Sequence, residues 1–176
     1  MKQAEEMYHY HVWANQTLIN KLKELPRGVY EQQVQSVFPT VAKVMAHIYF
    51  VDLCWFEILS GREMRDALEA SRALTEEVES KSLEELEQLY VQLAAQYRAF
   101  LSAQNDLERV IVIDNPYAGV RPTRLSEMLL QIVNHATYHR GNVTAMLHQM
   151  GHASVMTEYA LFWYQGAPQA AEYQVN

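Results

Sequence analysis

The chain has 176 residues and a formal net charge of −7, from 14 Lys and Arg against 21 Asp and Glu. A chain of this length can bury roughly 70% of its unfolded surface, so we expect residues 1–176 to form one domain. The negative charge should repel a phosphate backbone, which argues against a nucleic-acid partner. We expect neither a secretory signal nor a membrane span, because no positive cluster precedes an apolar stretch and no run reaches about 18 apolar residues.

The single cysteine, Cys54, lies in the apolar string VDLCWFEIL. One cysteine cannot form a disulfide within the chain, and a reducing cytoplasm is the simplest setting for it. Buried free cysteine commonly behaves as a small hydrophobe, so the sequence favours an inert core thiol over a nucleophile.

Few glycines and prolines interrupt the chain, and they separate stretches with helical periodicity. The first stretch, residues 3–25, has apolar side chains three or four positions apart and is closed by Pro26 and Gly28. The second, residues 40–59, is apolar around much of its circumference and is followed by Gly61. These patterns predict helices one and two, of which the second should be the more buried.

Residues 62–81 are charged and small, without a strong apolar period, and predict a loop with at most a short helical turn. Ser82 then begins the string SLEE, in which Glu85 follows three residues later. That spacing is typical of a capping box and predicts the start of helix three, which should end near residue 102.

Residues 105–124 combine the β-branched string RVIVID with the turn string NPYAG, which predicts a small hairpin or an extended crossover. Helix four should run from residue 125 or 126 to about 150, where Gly151 stops it. An aromatic cluster follows, and we expect it to pack within the chain rather than on a second subunit. Its members are Tyr159, Phe162, Trp163 and Tyr164. The four long helices predict an all-α fold, a four-helix bundle.

Helix four carries two histidines at positions i and i+4, His135 and His139. They lie about 40° apart around the helix axis and one turn apart along it, so both rings can reach one ion. They share a face with Met128 and Ile132 and should point to the core. For this pair alone, a structural role is about as strongly favoured as metal binding. In that role each ring would hydrogen-bond to a separate carbonyl or hydroxyl group.

A second pair with the same spacing, His148 and His152, serves as a comparison. Gly151 interrupts this pair at the helix end, and His148 points about 180° away from His139. We therefore predict that His148 faces solvent and binds no metal. The comparison also shows that the spacing is a weak signal by itself.

His47 makes a metal site the favoured interpretation, because it lies on the most apolar helix beside Val44 and Ile48. A ligand from a facing helix would complete a set of three with His135 and His139. Three imidazoles with an open position are typical of catalytic zinc sites, whereas structural sites normally have four protein ligands.

Asp52 and Asn134 are candidates for orienting a ligand or a bound water. Asp52 lies about 140° further round the helix than His47, so direct binding of one ion by both residues is disfavoured. A salt bridge is the alternative role for Asp52. His9 and His11 lie about 200° apart on helix one, so at most one can face the core, and neither is assigned as a ligand.

Three strings resemble the DinB-like superfamily. NHATYHRGN at residues 134–142 is similar to the superfamily's last-helix pattern NHxxHHRGQ, AHIYFVDLCW at residues 46–55 to its second-helix motif, and YHVWAN at residues 10–15 to its opening. The resemblance covers almost the whole chain. Two positions depart from the pattern: Tyr138 stands where histidine is frequent, and Asn142 stands where glutamine is usual.

The resemblance implies an up-down-down-up four-helix bundle with a long crossover, usually a homodimer. It also implies a three-histidine site for zinc, nickel or a similar ion, here on His47, His135 and His139. Members of the superfamily include thiol-dependent S-transferases and a maleylpyruvate isomerase, while others are known as proteins induced by DNA damage. Fold alone does not assign a reaction.

Our leading hypothesis is a cytoplasmic, metal-dependent enzyme that transfers a low-molecular-weight thiol to a small electrophile, with no nucleic acid or membrane as partner. A hydrolase that uses an ion-bound water is the second hypothesis. The third is a dimer in which the metal is structural or sensed, as in a stress response, without catalysis.

Overall fold

The computed structural model describes residues 2–165, and most of them are helical. In chain order the helices are α1 (Lys2–Lys23), α2 (Val41–Leu59), α3 (Met64–Ala73), α4 (Thr75–Glu79), α5 (Leu83–Ser102), α6 (Leu125–Gln149) and α7 (Tyr159–Phe162). A 3-10 turn spans Arg27–Val29, and the strands are β1 (Val110–Asn115) and β2 (Gly119–Arg124). The chain is therefore mainly α-helical with one small sheet. No helix in the described range is both long and apolar enough to cross a bilayer.

The ends of the helices follow local sequence signals. Thr40 caps α2, where its hydroxyl accepts a hydrogen bond from the Lys43 N–H at 3.2 Å. At the start of α5, the Ser82 hydroxyl accepts from the Glu85 N–H at 3.2 Å, and the Glu85 carboxylate accepts from the Ser82 N–H at 2.8 Å. These bonds satisfy N–H groups that the first turn of a helix leaves free. The predicted capping box is confirmed.

Residues 62–81 are not the loop that their charge predicted. They contain α3 and α4, and α3 contacts both α2 and β1. The buried positions of α3 are Met64, Ala67 and Ser71, which are spaced three and four apart as on one helix face. Two of these three side chains are small, so the buried face adds little apolar signal to the sequence. The prediction was wrong for that reason.

The segment before α6 is a hairpin, one of the two structures that the sequence left open. β1 and β2 pair antiparallel, with Asn115 opposite Gly119 at the turn. Gly119 has a φ of +89°, in the region that glycine enters without steric cost. At the other end of the hairpin, the Leu125 N–H donates to the Arg109 carbonyl at 3.2 Å. The hairpin is therefore attached to the first turn of α6.

The core lies among the four long helices, because α1 and α2 each contact both α5 and α6. Two buried tyrosines of α5 reach the backbone of α2. The hydroxyl of Tyr90 donates to the Met45 carbonyl at 2.8 Å, and that of Tyr97 donates to the Asp52 carbonyl at 2.7 Å. A buried hydroxyl without a partner is costly, so these bonds favour one register of α5 on α2.

Two of the four residues of the aromatic cluster after α6, Tyr159 and Phe162, pack within the chain, as predicted. The ring of Tyr159 lies 5.1 Å from that of Tyr10, and Phe162 lies 5.8 Å from Trp13. Residues 1 and 166–176, which the predicted domain also includes, lie outside the described residues. The rings of this cluster that remain exposed are Trp163 and Tyr164.

Replacing Tyr97 with Phe tests the bond between α5 and α2. The change removes only the buried hydroxyl, and we expect the free energy of unfolding to fall by about 1 kcal/mol. Urea denaturation followed by circular dichroism measures it. Tyr164→Phe, on an exposed ring, is the matched control and should leave stability unchanged. Equal stability of Tyr97→Phe and wild type would show that this bond contributes nothing.

Candidate metal centre

Three histidines from two helices meet where α2 packs against α6. His47 lies on α2, and His135 and His139 lie one turn apart on α6. The Nε2 atoms of His47 and His135 are 3.1 Å apart. The ring centroid of His139 lies 4.6 Å from that of His47 and 4.4 Å from that of His135. The structure thus brings together the three residues that the sequence predicted as metal ligands.

The spacing of these nitrogens suits one small cation. Zinc–nitrogen bonds of about 2.0–2.1 Å place two ligands of a tetrahedral site roughly 3.3 Å apart. One ring nitrogen from each histidine lies within 4.8 Å of the other two, and the closest pair is at 3.1 Å. Among residues 2–165, no Asp, Glu or Cys joins this group. The donor set therefore fits an ion that keeps a position for an outside ligand.

The three rings are neutral near pH 7. Burial lowers the pKa of His135 to about 3, and the neighbouring imidazoles add to this effect because two charged rings would repel each other. Burial also lowers the pKa of His47 and of His139. A histidine binds a metal through the lone pair of its neutral ring, so these rings are in the protonation state that a ligand needs.

Asn142 orients one of the three rings. The Nδ1–H of His139 donates to the Asn142 Oδ1 at 3.0 Å. This bond holds the proton on Nδ1 and leaves the Nε2 lone pair of His139 free for a metal. Asn142 is one of the two departures from the family pattern, and the structure shows that its shorter amide reaches the ring.

Two further aromatic rings border the histidines. Phe38, in the segment between α1 and α2, lies 5.1 Å from the His47 ring and 5.4 Å from the His139 ring. Tyr138 lies 5.0 Å from His139 and is largely exposed. Phe38 was not predicted as a neighbour of the histidines, because a residue in a linker has no helical period from which its contacts could be derived.

Neither Asp52 nor Asn134 hydrogen-bonds to the three histidines, and Asp52 instead makes a pairing of the salt-bridge kind that the sequence offered as its other role. Asp52 points from α2 toward α1, where its Oδ2 lies 2.7 Å from His11 Nε2. This direction agrees with its position about 140° round the helix from His47. Burial raises the pKa of the Asp52 carboxyl, while His11 and Arg140 act in the opposite sense. Asn134 is exposed on α6 and lines a separate cleft beside α1.

A buried polar network continues from His11 to α6. Asn15 Nδ2 lies 3.1 Å from His11 Nε2, and Asn15 Oδ1 accepts from Arg140 Nη1 at 2.9 Å. Arg140 Nη2 donates to Thr137 Oγ1 at 2.7 Å and to the Tyr10 hydroxyl at 3.3 Å. Arginine keeps its charge in proteins, so the buried guanidinium needs these partners. The network fixes α6 against α1 one residue away from a candidate ligand.

Asn15 and Arg140 had no predicted role, although both lie in the strings that carry the family resemblance. A polar residue on a helix does not reveal its partner on another helix. The sequence predicted that at most one of His9 and His11 faces the core. In the structure His11 is buried and His9 is exposed. His148 is exposed, as predicted.

The fold and this site define a helical protein with a candidate three-histidine metal centre. The DinB family model matches residues 1–170. The curated Protein DinB of Bacillus subtilis (strain 168) is 46% identical over 159 residues, which are 90% of this chain and 92% of that protein. The chain belongs to the DinB family.

Replacing His139 with Ala should abolish tight binding of a divalent ion, because two imidazoles remain where three are needed. We expect wild-type protein, purified without a metal-affinity tag, to bind one zinc or nickel ion per chain. Elemental analysis and isothermal titration calorimetry measure the stoichiometry and affinity. His148→Ala, on an exposed face of the same helix, is the control and should bind like wild type. Unchanged binding by His139→Ala would rule out this centre.

Replacing Asn15 with Leu tests the buried network. Leu has a similar size but pairs with neither neighbour, so the Arg140 guanidinium loses a buried acceptor. We expect a loss of about 2–3 kcal/mol in the free energy of unfolding, since a bond to a charged group is lost. Asn20→Leu, at an exposed position of α1, is the control for urea denaturation. A loss no larger than that of the control would contradict the importance of the network.

Proposed function

We propose that this protein is a metal-dependent enzyme that transfers a low-molecular-weight thiol to small electrophiles. The observation that carries the proposal is the group of three converging imidazoles without a His, Cys, Asp or Glu side chain as a fourth ligand among residues 2–165. Membership of the DinB family supports the proposal. The superfamily that the sequence resembles includes thiol-dependent S-transferases. We propose zinc or nickel as the ion, since imidazole nitrogen suits both.

A divalent ion in this site would lower the pKa of a thiol at its open position and so supply a thiolate near neutral pH. The chain's residues favour an anionic sulfur there. His47, His135 and His139 contribute no negative charge. The buried Asp52 carboxylate lies against His11 instead. The positive charge of the site would therefore stay available to an anion.

Neighbouring residues prepare the histidines for this role. Asn142 keeps the Nε2 of His139 unprotonated through its bond to Nδ1. Phe38 lies against the His47 and His139 rings, where its apolar ring would exclude water from one side of the site. Exclusion of water strengthens electrostatic interactions inside a site.

The chain's own thiol is a poor candidate for the nucleophile. Cys54 is buried on α2, and burial raises the pKa of its thiol. It therefore stays protonated near neutral pH, whereas the reactive form of a thiol is the thiolate. This agrees with the core role predicted from its apolar surroundings and supports an outside thiol as the nucleophile.

The proposed transfer is a substitution at carbon. The thiol loses its proton to solvent, and its sulfur lone pair forms a carbon–sulfur bond with the electrophile. The leaving group, for example chloride, departs with the electron pair of the bond that breaks. No oxidant or reductant is required.

We also propose that the long helices form the up-down-down-up bundle that the family resemblance implies. Parallel directions of α2 and α5 are supported by the bonds from Tyr90 to Met45 and from Tyr97 to Asp52, which advance together along both helices. Opposite directions of α1 and α5 are supported by the ion pair that joins Lys23, at the end of α1, to Glu87, near the start of α5. The homodimer remains a prediction.

Conjugation of a thiol to monochlorobimane tests the proposed activity. We expect zinc- or nickel-loaded protein to accelerate the reaction of cysteine, glutathione or bacillithiol at least about tenfold over the uncatalysed rate, which corresponds to roughly 1.4 kcal/mol of barrier. Fluorescence of the conjugate measures the rate. Chelated protein and His139→Ala should show no acceleration, while His148→Ala should match wild type.

A rate that never exceeds that of chelated protein, for any of these thiols, would refute thiol transfer. Hydrolysis of esters, amides or lactones that depends on the metal would then favour the hydrolase hypothesis. A metal-dependent rise in thermal stability without any turnover would favour a structural ion.

A further inference from the structure

A cavity of about 410 Å³ lies beside His47. Residues of α2 and α3 and the turn of the hairpin line it, and Phe38, which touches the His47 and His139 rings, is part of its wall. Most of the lining is apolar, including Phe50, Trp55 and Leu68. Pockets for small molecules typically have this size and are mainly apolar with a few polar groups.

Two polar groups at this cavity come from different elements. The Arg72 guanidinium, in the last turn of α3, donates a hydrogen bond to the hydroxyl of Tyr117 in the hairpin turn. Because the Tyr117 oxygen accepts this bond, its own proton is free to donate. A guanidinium and a hydroxyl side by side can both donate to one carboxylate.

None of the ion pairs among residues 2–165 includes Arg72, so its charge has no acidic partner in that range. The acidic residue that lines the cavity, Glu79, is paired with Lys43 at 3.1 Å. Arg72 and Tyr117 are both exposed, so the cavity offers an unpaired positive charge at its rim, beside a mainly apolar lining. Its chemistry favours a ligand with an apolar body and one negative group.

We propose that this cavity binds the electrophilic substrate, and that the substrate is a small apolar carboxylate whose acid group pairs with Arg72 and Tyr117. The inference rests on the proposed function, because it places the electrophile beside His47. The apolar body lies against Phe50, Trp55 and Leu68. Arg72 and Tyr117 are specificity residues in this arrangement, since they select the anion and hold no metal.

Binding without a thiol tests the cavity separately from turnover. Calorimetry of metal-loaded protein compares 4-ethylbenzoate with its neutral analogue 4-ethylbenzamide. We expect wild type to bind the carboxylate about five- to tenfold more tightly, as a partly exposed charge pair allows. Arg72→Gln should lose this preference and keep its affinity for the amide, and Tyr117→Phe should reduce the preference. Arg65→Gln, on the same helix but outside the cavity, is the matched control.

Kinetics with 4-(chloromethyl)benzoate then distinguish the electrophile from the thiol. Arg72→Gln should raise the KM for this electrophile about five- to tenfold and leave the KM for the thiol unchanged. A raised KM for the thiol alone would mean that the cavity holds the thiol, which overturns the proposal. If thiol transfer fails but the Arg72-dependent preference is present, the proposed reaction is wrong and the carboxylate site stands.

Three binding results would overturn the carboxylate site itself. Equal affinity of wild type for acid and amide is the first. The second is a preference that survives in Arg72→Gln but disappears in His139→Ala, because the acid would then bind the metal. The third is unchanged binding by Leu68→Trp, because this change should fill the cavity and weaken the binding of both ligands.

Discussion

The packing of α2 against α6 is the contact on which the candidate centre depends. Helix geometry alone brings His135 and His139 together, because they lie one turn apart on α6. The third nitrogen comes from the facing helix and requires a particular rotation of α2. A change of one residue in that rotation, about 100°, would turn His47 away from the pair. Fully buried side chains on both helices, such as Met45 and Ile132, resist such a change.

The polar network adds a second constraint on the same helices. Asp52 on α2 and Arg140 on α6 carry the buried carboxyl and the buried guanidinium, and the side chains of His11 and Asn15 on α1 lie between them. A buried polar group that loses its partner is costly, so each member depends on the others. Each of these side chains lies within hydrogen-bonding distance of the next in the observed arrangement of the three helices. The network thereby favours the arrangement that brings the three imidazoles together.

The sequence predicted those features that local spacing encodes. Helical period and the capping box identified the long helices, and the four-residue spacing identified the pair on α6. His47 was found because a histidine is unusual on so apolar a helix. The network was not predicted, since Asn15 and Arg140 are separated by 125 positions and no local pattern links them. For Asp52, the helical angle gave a direction away from His47 but could not name His11 as its partner.

An ion held by these histidines would cross-link the chain. His47 and His135 are 88 positions apart, so one ion would close a long loop that includes α3, α4, α5 and the hairpin. The unfolded chain would have to close this long loop before it offered the same three ligands, which costs conformational entropy. The ion would therefore bind the folded state and stabilise that state. The lifetime of the folded protein would therefore depend on the supply of the metal. A cell short of that metal would contain less of the folded protein.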